Sequence, residues 1–246
     1  MTRLLSRSCL LILLVLFCTF SAMAADSTYL YRTSLIQAAP GKYQELIDAY
    51  KMCAAHLSEG DEAPLWMRHS QGDHWDFLIL WPMGSYADFY NTARIAKRKK
   101  AEASRPFQPN WSELIASQED VFVQGPPLAD LRNAFSNSKF FHVEMFQALP
   151  ARHAELMTER QMENVYQRKL KRPENFIFTR DQGAAWDIFT IGCYRDLKHY
   201  SESADIPEKD QEDAAHVAGF KAANQIGPYL RQFIRSHHDT LAVAIK

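Results

Sequence analysis

The sequence predicts an α+β protein in which two tandem β-α-β-β-α-β units, one per half of the chain, close into a single barrel. Three observations carry this expectation. The chain reads QGDHWDFLIL from Gln71 to Leu80 and QGAAWDIFTI from Gln182 to Ile191, the same Gln-Gly, Trp-Asp and apolar run twice. Upstream, YRTSLIQAAPGKYQELIDAYK (Tyr31 to Lys51) lines up with FHVEMFQALPARHAELMTERQ (Phe141 to Gln161), so that Gln37, Ala38, Pro40, Glu45 and Leu46 recur as Gln147, Ala148, Pro150, Glu155 and Leu156. Downstream, IASQEDVFV from Ile115 faces IRSHHDTLAV from Ile234. A repeat of this length is a whole small domain rather than one turn of a solenoid.

Each element has a local reason. Thr28 to Ala38 is rich in β-branched and aromatic residues and reads as a strand. Pro40-Gly41 then opens a segment whose apolar residues Tyr43, Leu46, Ile47 and Tyr50 have helical spacing, with proline where a first turn favours it. Leu65 to Ser70 and Trp75 to Trp81 read as strands joined by the turn Gln71-Gly72-Asp73. Ser85 is a natural N-cap for a helix running to about Ala103, and a short helix from Trp111 to Ala116 leads into a last strand, Asp120 to Gln124. The second half predicts the same succession: strand Lys139 to Ala148, helix Pro150 to about Arg168, strands Asn175 to Arg180 and Trp186 to Cys193, helical Asp196 to Ser201 and Gln211 to Ser236, and strand Thr240 to Ile245. GPPLADLRNAFSNS, Gly125 to Ser138, has the composition of a linker. Each half is thus a ferredoxin-like unit. Its sheet has helices on one face and a bare face on the other, and two bare faces cover each other, so the two tandem units are expected to fuse into one α/β barrel.

The N-terminus predicts export. Arg3 and Arg7 precede a short apolar run and then Ala22-Met23-Ala24, the small-x-small pattern of a signal-peptidase site. The domain boundaries expected are a signal peptide at 1–24, repeat 1 at 25–124, a linker at 125–138 and repeat 2 at 139–246. A lipid anchor at Cys18 is disfavoured by Phe17, where a small residue is required. Cleavage leaves 222 residues and, because both leader arginines go, moves the formal charge from −1 to −3. Such a chain lacks the basic bias that nucleic acid requires. No second membrane segment follows, so a periplasmic or secreted location without stable membrane insertion is expected. Cys53 and Cys193 remain, one in a helical pattern and one at a strand end, and read as two buried thiols rather than a disulfide.

The stretch TYLYRTSLIQAAPGKYQELIDAYK, an aromatic first strand followed at once by Pro-Gly-Lys and an amphipathic helix, resembles the dimeric α/β-barrel superfamily, and so does the later WDFLILW strand. Within it the chain is similar to NIPSNAP-like and antibiotic-biosynthesis-monooxygenase-like domains. The resemblance implies the barrel, and its families include cofactor-free oxygenases, haem enzymes of the chlorite dismutase type and small-ligand lyases. Fold alone does not choose among them.

A pocket is expected between the inner faces of the two sheets, so polar residues on strand faces are the candidates for chemistry. Arg32 and Ser34 share one face of the first strand by two-residue spacing, and the aligned positions of the second half are His142 and Glu144. A histidine beside a carboxylate serves as a general base or a metal ligand, so His142 and Glu144 are the catalytic candidates. Ligand-binding candidates are Arg32, Asp76, Asp187, Arg180 and His69. Asp76 and Asp187 follow the repeated Trp, and a cross-strand pairing of Arg32 with Asp76 and of His142 with Asp187 is expected. Their recurrence favours a structural role. His69 and Arg180 precede the two Gln-Gly turns, where they guard a pocket mouth or cap an exposed hairpin. His237, His238 and Asp239 are consecutive, so their side chains diverge, and no metal site is expected from them. His153, His199 and His216 are the helical histidines that a haem reading would require as axial ligand. Hydrolase, phosphate-loop and His-Glu-x-x-His motifs do not occur in the sequence.

The leading expectation is an exported small-molecule-binding protein, with a cofactor-independent oxygenase or related enzyme as its catalytic form and a homo-oligomer compatible with either. A haem-binding protein of chlorite-dismutase-like architecture and a non-catalytic interaction protein are the alternatives. No cofactor other than haem is implied.

Overall fold

The computed structural model describes residues 28–245, so the expected signal peptide lies outside the described residues. The first half contains β1 (Tyr29–Ala38), α1 (Tyr43–Ala55), β2 (Leu65–Gln71), β3 (Phe77–Gly84), α2 (Tyr86–Phe89), α3 (Thr92–Ala103), α4 (Trp111–Leu114) and β4 (Ile115–Gly125). After α5 (Leu128–Ser136), the second half contains β5 (Phe140–Ala148), α6 (His153–Lys169), β6 (Phe176–Gln182), β7 (Ile188–Tyr194), α7 (Leu197–Ser201), α8 (Glu208–Ala218), α9 (Ile226–Leu230) and β8 (Ile234–Ala244).

The strand order is β4-β1-β3-β2 in one half and β8-β5-β7-β6 in the other, and the pairs β2–β8 and β4–β6 close the eight strands into a barrel. Every pairing is antiparallel. Closure leaves no strand edge bare, which removes the usual route to edge-to-edge association. Alternate residues of each strand then face two different layers. One set fills the barrel: Tyr31, Met67, Trp75, Leu78, Val121, Phe141, Val143, Phe178, Trp186 and Phe189 form one cluster drawn from both halves. The other set lies under helices. Ile36, Phe77 and Ile79 pack on Leu46, Ile47 and Tyr50 of α1, while Phe146 and Ile188 pack on Leu156 of α6.

The repeated Gln-Gly turns have a physical reason at the two seams. Gly72 has φ 119° and its missing Cβ would stand 2.3 Å from the carbonyl oxygen of Asp239 on β8. Gly183, φ 87°, approaches the Asp120 carbonyl of β4, where a Cβ would stand at 3.2 Å. Each hairpin turn therefore leans on the last strand of the opposite half, and both need the left-handed backbone that glycine adopts freely.

Several elements depart from the expectation. Residues 125–138 are not a featureless linker: α5 lies within them, and its Leu131 is fully buried in the barrel cluster with Leu128 and Phe135 against it. The strands β4 and β8 begin at Ile115 and Ile234, earlier than their polar stretches suggest, because those stretches pair with β1 and β5 while facing water. The expected helix from Ser85 splits at Asn91, whose side chain accepts from Ala93 N at 2.9 Å and starts α3 afresh; Ser85 itself caps α2, accepting from Asp88 N. Gly219, in the left-handed conformation, ends α8. Cys53 and Cys193 are free, buried thiols. Among the described residues no helix is long and apolar enough to cross a membrane.

Candidate functional site

The polar pairs on β1 and β5 do not face the barrel interior. Tyr31 and Leu35 turn inward with the shared core, so Arg32 and Ser34 turn outward to the helix layer, and His142 and Glu144 do the same in the second half. The interior is filled with large side chains except at one end, where Leu35, Trp75, Met145 and Trp186 line a cavity of about 370 Å³, and the larger space lies between sheet and helices. The two halves use that space differently.

In the first half it is a cavity of about 610 Å³, bounded by β1, β3, β4, α1 and α3. Its floor is a hydrogen-bonded row: Trp81 Nε1 donates to Ser34 Oγ at 3.1 Å, Ser34 donates to Asp120 Oδ1 at 2.5 Å, and Gln118 donates to Asp120 Oδ2 at 2.9 Å. The rings of Tyr50, Trp81 and Trp111 line one wall, with Tyr50 5.0 Å from Trp111 between centroids. Burial, with Asp120 adding to it, pushes the Tyr50 phenol well up, so it stays protonated. The guanidinium of Arg32 lies 5.2 Å from the centre of the Trp81 ring, and among the described residues it has neither a carboxylate partner nor a hydrogen bond; its Nε is buried. Arg105 also lines the cavity; among the described residues its buried Nε has no hydrogen-bond partner, and Nη1 lies 3.8 Å from the Cys53 sulfur. Burial raises the Cys53 thiol, and Arg105 opposes that rise. Arg98 is different. It grips Asp61 through Nε at 2.9 and 3.0 Å and donates Nη1 to the Phe89 carbonyl, which with Arg94 fastens α3 to the connection between α1 and β2. That fastening matters because α2 and α3 bury no residue of their own.

In the second half the same layer holds charge instead of space. The 110-residue offset that carries Pro40 to Pro150 carries Tyr50 to Arg160 and Cys53 to Glu163. Arg160, 1% exposed, bonds Glu159 from Nε at 2.7 Å and lies 2.9 Å from Glu163 and 3.6 Å from Glu144. Thr190 donates to Glu144 at 3.1 Å. His142 Nε2 is 3.3 Å from Asp239 Oδ1, and His237 Nε2 is 3.2 Å from Asp239 Oδ2. Burial pulls the His142 imidazole down, but its hydrogen bond to Asp239 and the field of Glu144 outweigh that, and the net shift is upward. Hydrogen bonding to His142 holds the Asp239 carboxyl low. Burial raises the carboxyls of Glu159 and Glu163, the latter to about 7 against the pull of Arg160. The second layer closes because Ala214, Ala215 and Ala218 of α8 are buried and α8 packs across α6, a cover that α3 does not give the first half.

The remaining expected residues sit elsewhere. Asp76 accepts from Ala38 N at 2.8 Å and Asp187 from Ala148 N at 2.8 Å, so each ties the end of the first strand of its half. The expected ladder partners are not neighbours: Arg32 pairs with Trp81 and Phe122, and His142 with Gly192 and Leu241. Arg180 donates to Asp187 Oδ1 at 2.5 Å. His69 N donates to the Asp76 carbonyl, and its ring lies 5.9 Å from that of Trp75. Of the residues singled out as ligand-binding candidates, Arg32 alone lines the first-half cavity. Arg105, Trp81 and Trp111 also line it, and the signal for them in the sequence is that none recurs in the second half.

None of the helical histidines His153, His199 and His216 lines the first-half cavity. His199 Nδ1 accepts from Arg195 N, which places the proton on Nε2 and leaves no lone pair for iron. His153 turns its Nε2 to Asp187, and His216 is exposed on α8. The first-half cavity contains no imidazole.

Among solved structures, an anthrone oxidase-like protein is similar over 90% of this chain and 93% of its own, at 12% identity and a TM-score of 0.60. The likeness shows the fold alone. A candidate monooxygenase from Lactobacillus acidophilus NCFM matches 88% of this chain and 93% of its own at 7% identity and a TM-score of 0.51. Another, from Fusobacterium nucleatum, matches 89% and 93% at 11% identity and a TM-score of 0.52. These are dimeric α/β-barrel folds, as the sequence led one to expect. No protein family and no curated protein matches the sequence.

Proposed function

We propose that the first-half cavity binds a small planar molecule carrying an acidic group, making the protein a ligand-binding member of the dimeric α/β-barrel type. The observation that carries this reading is the Arg32 guanidinium, half-buried, always charged and without an anionic partner among the described residues. A cation in that position is unfavourable unless something compensates it, and Arg105 adds a second one to the same wall. A carboxylate would meet a guanidinium fork, while Tyr50, Trp81 and Trp111 would take a flat ring. The printed descriptions of the similar structures, monooxygenases and an anthrone oxidase-like protein, are compatible with a small molecule as occupant. A cofactor-independent oxygenase is the catalytic form of this reading, with Ser34 placed between Trp81 and Asp120 to relay a proton. Export with cleavage after Ala24 belongs to the same proposal, and the N-terminal sequence of the mature protein tests it. Because the barrel closes within one chain, a homo-oligomer would not be needed to complete it.

Titration of tryptophan fluorescence with a series of aromatic carboxylic acids and their neutral amides tests the binding reading. Acids are expected to bind and amides to bind more weakly, and Arg32→Ala should weaken the acids by roughly tenfold or more. Amides that bind as tightly as acids, or an Arg32→Ala variant with full affinity, would overturn it.

A further inference from the structure

We propose that His142, Glu144 and Asp239 bind a divalent transition-metal ion of the zinc or manganese class on the helix-facing side of the second sheet. One ligand atom from each of these residues lies within 4.8 Å of the others. The His142–Asp239 separation of 3.3 Å is already that of neighbouring ligands, since a tetrahedral site with bonds of about 2.1 Å has edges of about 3.4 Å. His237 meets Asp239 but does not belong to the converging set of ligand atoms; the β5–β8 register places Glu144 opposite Asp239 and supplies ligands from another strand.

Two further observations support an ion there. Glu144 is held from behind by the Thr190 hydroxyl and by Arg160, and Asp239 by His237, the outer contacts that fix ligand orientation in metal sites. The cluster is also crowded with carboxyl groups. Glu144, Glu159 and Glu163 gather on the single guanidinium of Arg160, and among the described residues the fully buried Glu159 leaves Oε1 without a hydrogen-bond partner. A divalent ion supplies positive charge there. An imidazole with two carboxylates suits zinc, manganese, iron or cobalt better than calcium or magnesium. Asp239 is 51% exposed, which opens the site to solvent.

The test uses the full chain without an affinity tag, stripped with chelator and titrated with Co²⁺. A visible d–d band should saturate at one equivalent, disappear on addition of Zn²⁺, and accompany a rise in melting temperature. His142→Gln and Asp239→Asn should each weaken the ion at least about tenfold, while Arg32→Ala leaves it unchanged. If His142→Gln fails to fold, Asp239→Asn at its half-exposed position gives the same reading. The proposal is overturned if no band or thermal shift appears at roughly millimolar Co²⁺, a concentration that corresponds to only about 4 kcal/mol of binding. It is equally overturned if Asp239→Asn binds as the parent does, which would place the ion elsewhere.

Discussion

Asp76 and Asp187 are joined to the first strand of their halves twice over. Their backbone N–H groups donate to the carbonyls of Ile36 and Phe146 at 2.8 Å, and their carboxylates accept from the N–H two residues further on. Asp187 also takes Arg180 and His153 on its other oxygen while only 9% exposed. A buried backbone N–H that loses a charged acceptor is left dry and unpaired. Asp187→Ala should therefore lower stability by about 2–4 kcal/mol in urea unfolding while leaving ligand affinity in the other half intact. A variant as stable as the parent would remove the strand-tying role. The recurrence of this aspartate was legible in the sequence, and both copies bond the first strand of their half. Its partners were not, because register is set by hairpin length and closure: β1 meets β3 with Arg32 opposite Trp81, several residues from Asp76.

Among the elements, those with strong periodicity or a turn signal were legible: both first strands, α1, α6 and both central hairpins lie where the pattern placed them. The strands β4 and β8 were cut short because the polar runs 115–120 and 234–239 hide an alternation that only pairing reveals, and those runs contain Gln118, Asp120 and Asp239, which shape both sites. The segment 125–138 looked like a linker because its few apolar residues are spread over a polar helix, yet Leu131 enters the shared core. The Gln-Gly turns were read as hairpin signals, but their second duty, contact across the seams, needs the closed barrel. Gly72→Ala should test it. The new methyl would meet backbone of β8 from the opposite half at 2.3 Å, in a left-handed conformation that an L residue resists, and a backbone neighbour has no rotamer with which to yield. A stability loss of at least about 2 kcal/mol is expected, read by thermal unfolding, against a smaller loss for Gly183→Ala, whose nearest contact is 3.2 Å. Equal, small effects at both turns would show that the seam is looser than this.

At the scale of the whole molecule, one core joins halves whose helix layers differ, one holding an open cavity and the other buried charge. Because Trp75 and Leu78 share a cluster with Phe141 and Trp186, unfolding should be a single transition. Between the carboxylate and imidazole ranges its pH dependence should come chiefly from the buried charges of the second half. Glu163, facing Arg160 and Glu159 of its own helix, Glu144 of β5 and Tyr166, has its carboxyl raised from 4.5 to about 7. The folded state therefore keeps a proton that the unfolded chain releases, so stability is greatest below about 4.5 and falls as pH rises toward 7. His142, also raised, acts in the same sense: its contribution is complete below the ordinary imidazole range and is lost as pH passes its elevated value. Asp239 acts oppositely, but only below the ordinary carboxylate range, where its contribution is lost as pH falls. Chelator-treated protein should thus lose on the order of 3 kcal/mol between pH 5 and 7.5, and Glu163→Gln, which is neutral at every pH, should remove most of that slope. Affinity for an aromatic acid in the first half should meanwhile stay flat over the same interval, because guanidinium groups and a carboxylate ligand do not titrate there. A Glu163→Gln variant that keeps the full slope would place the titrating group elsewhere.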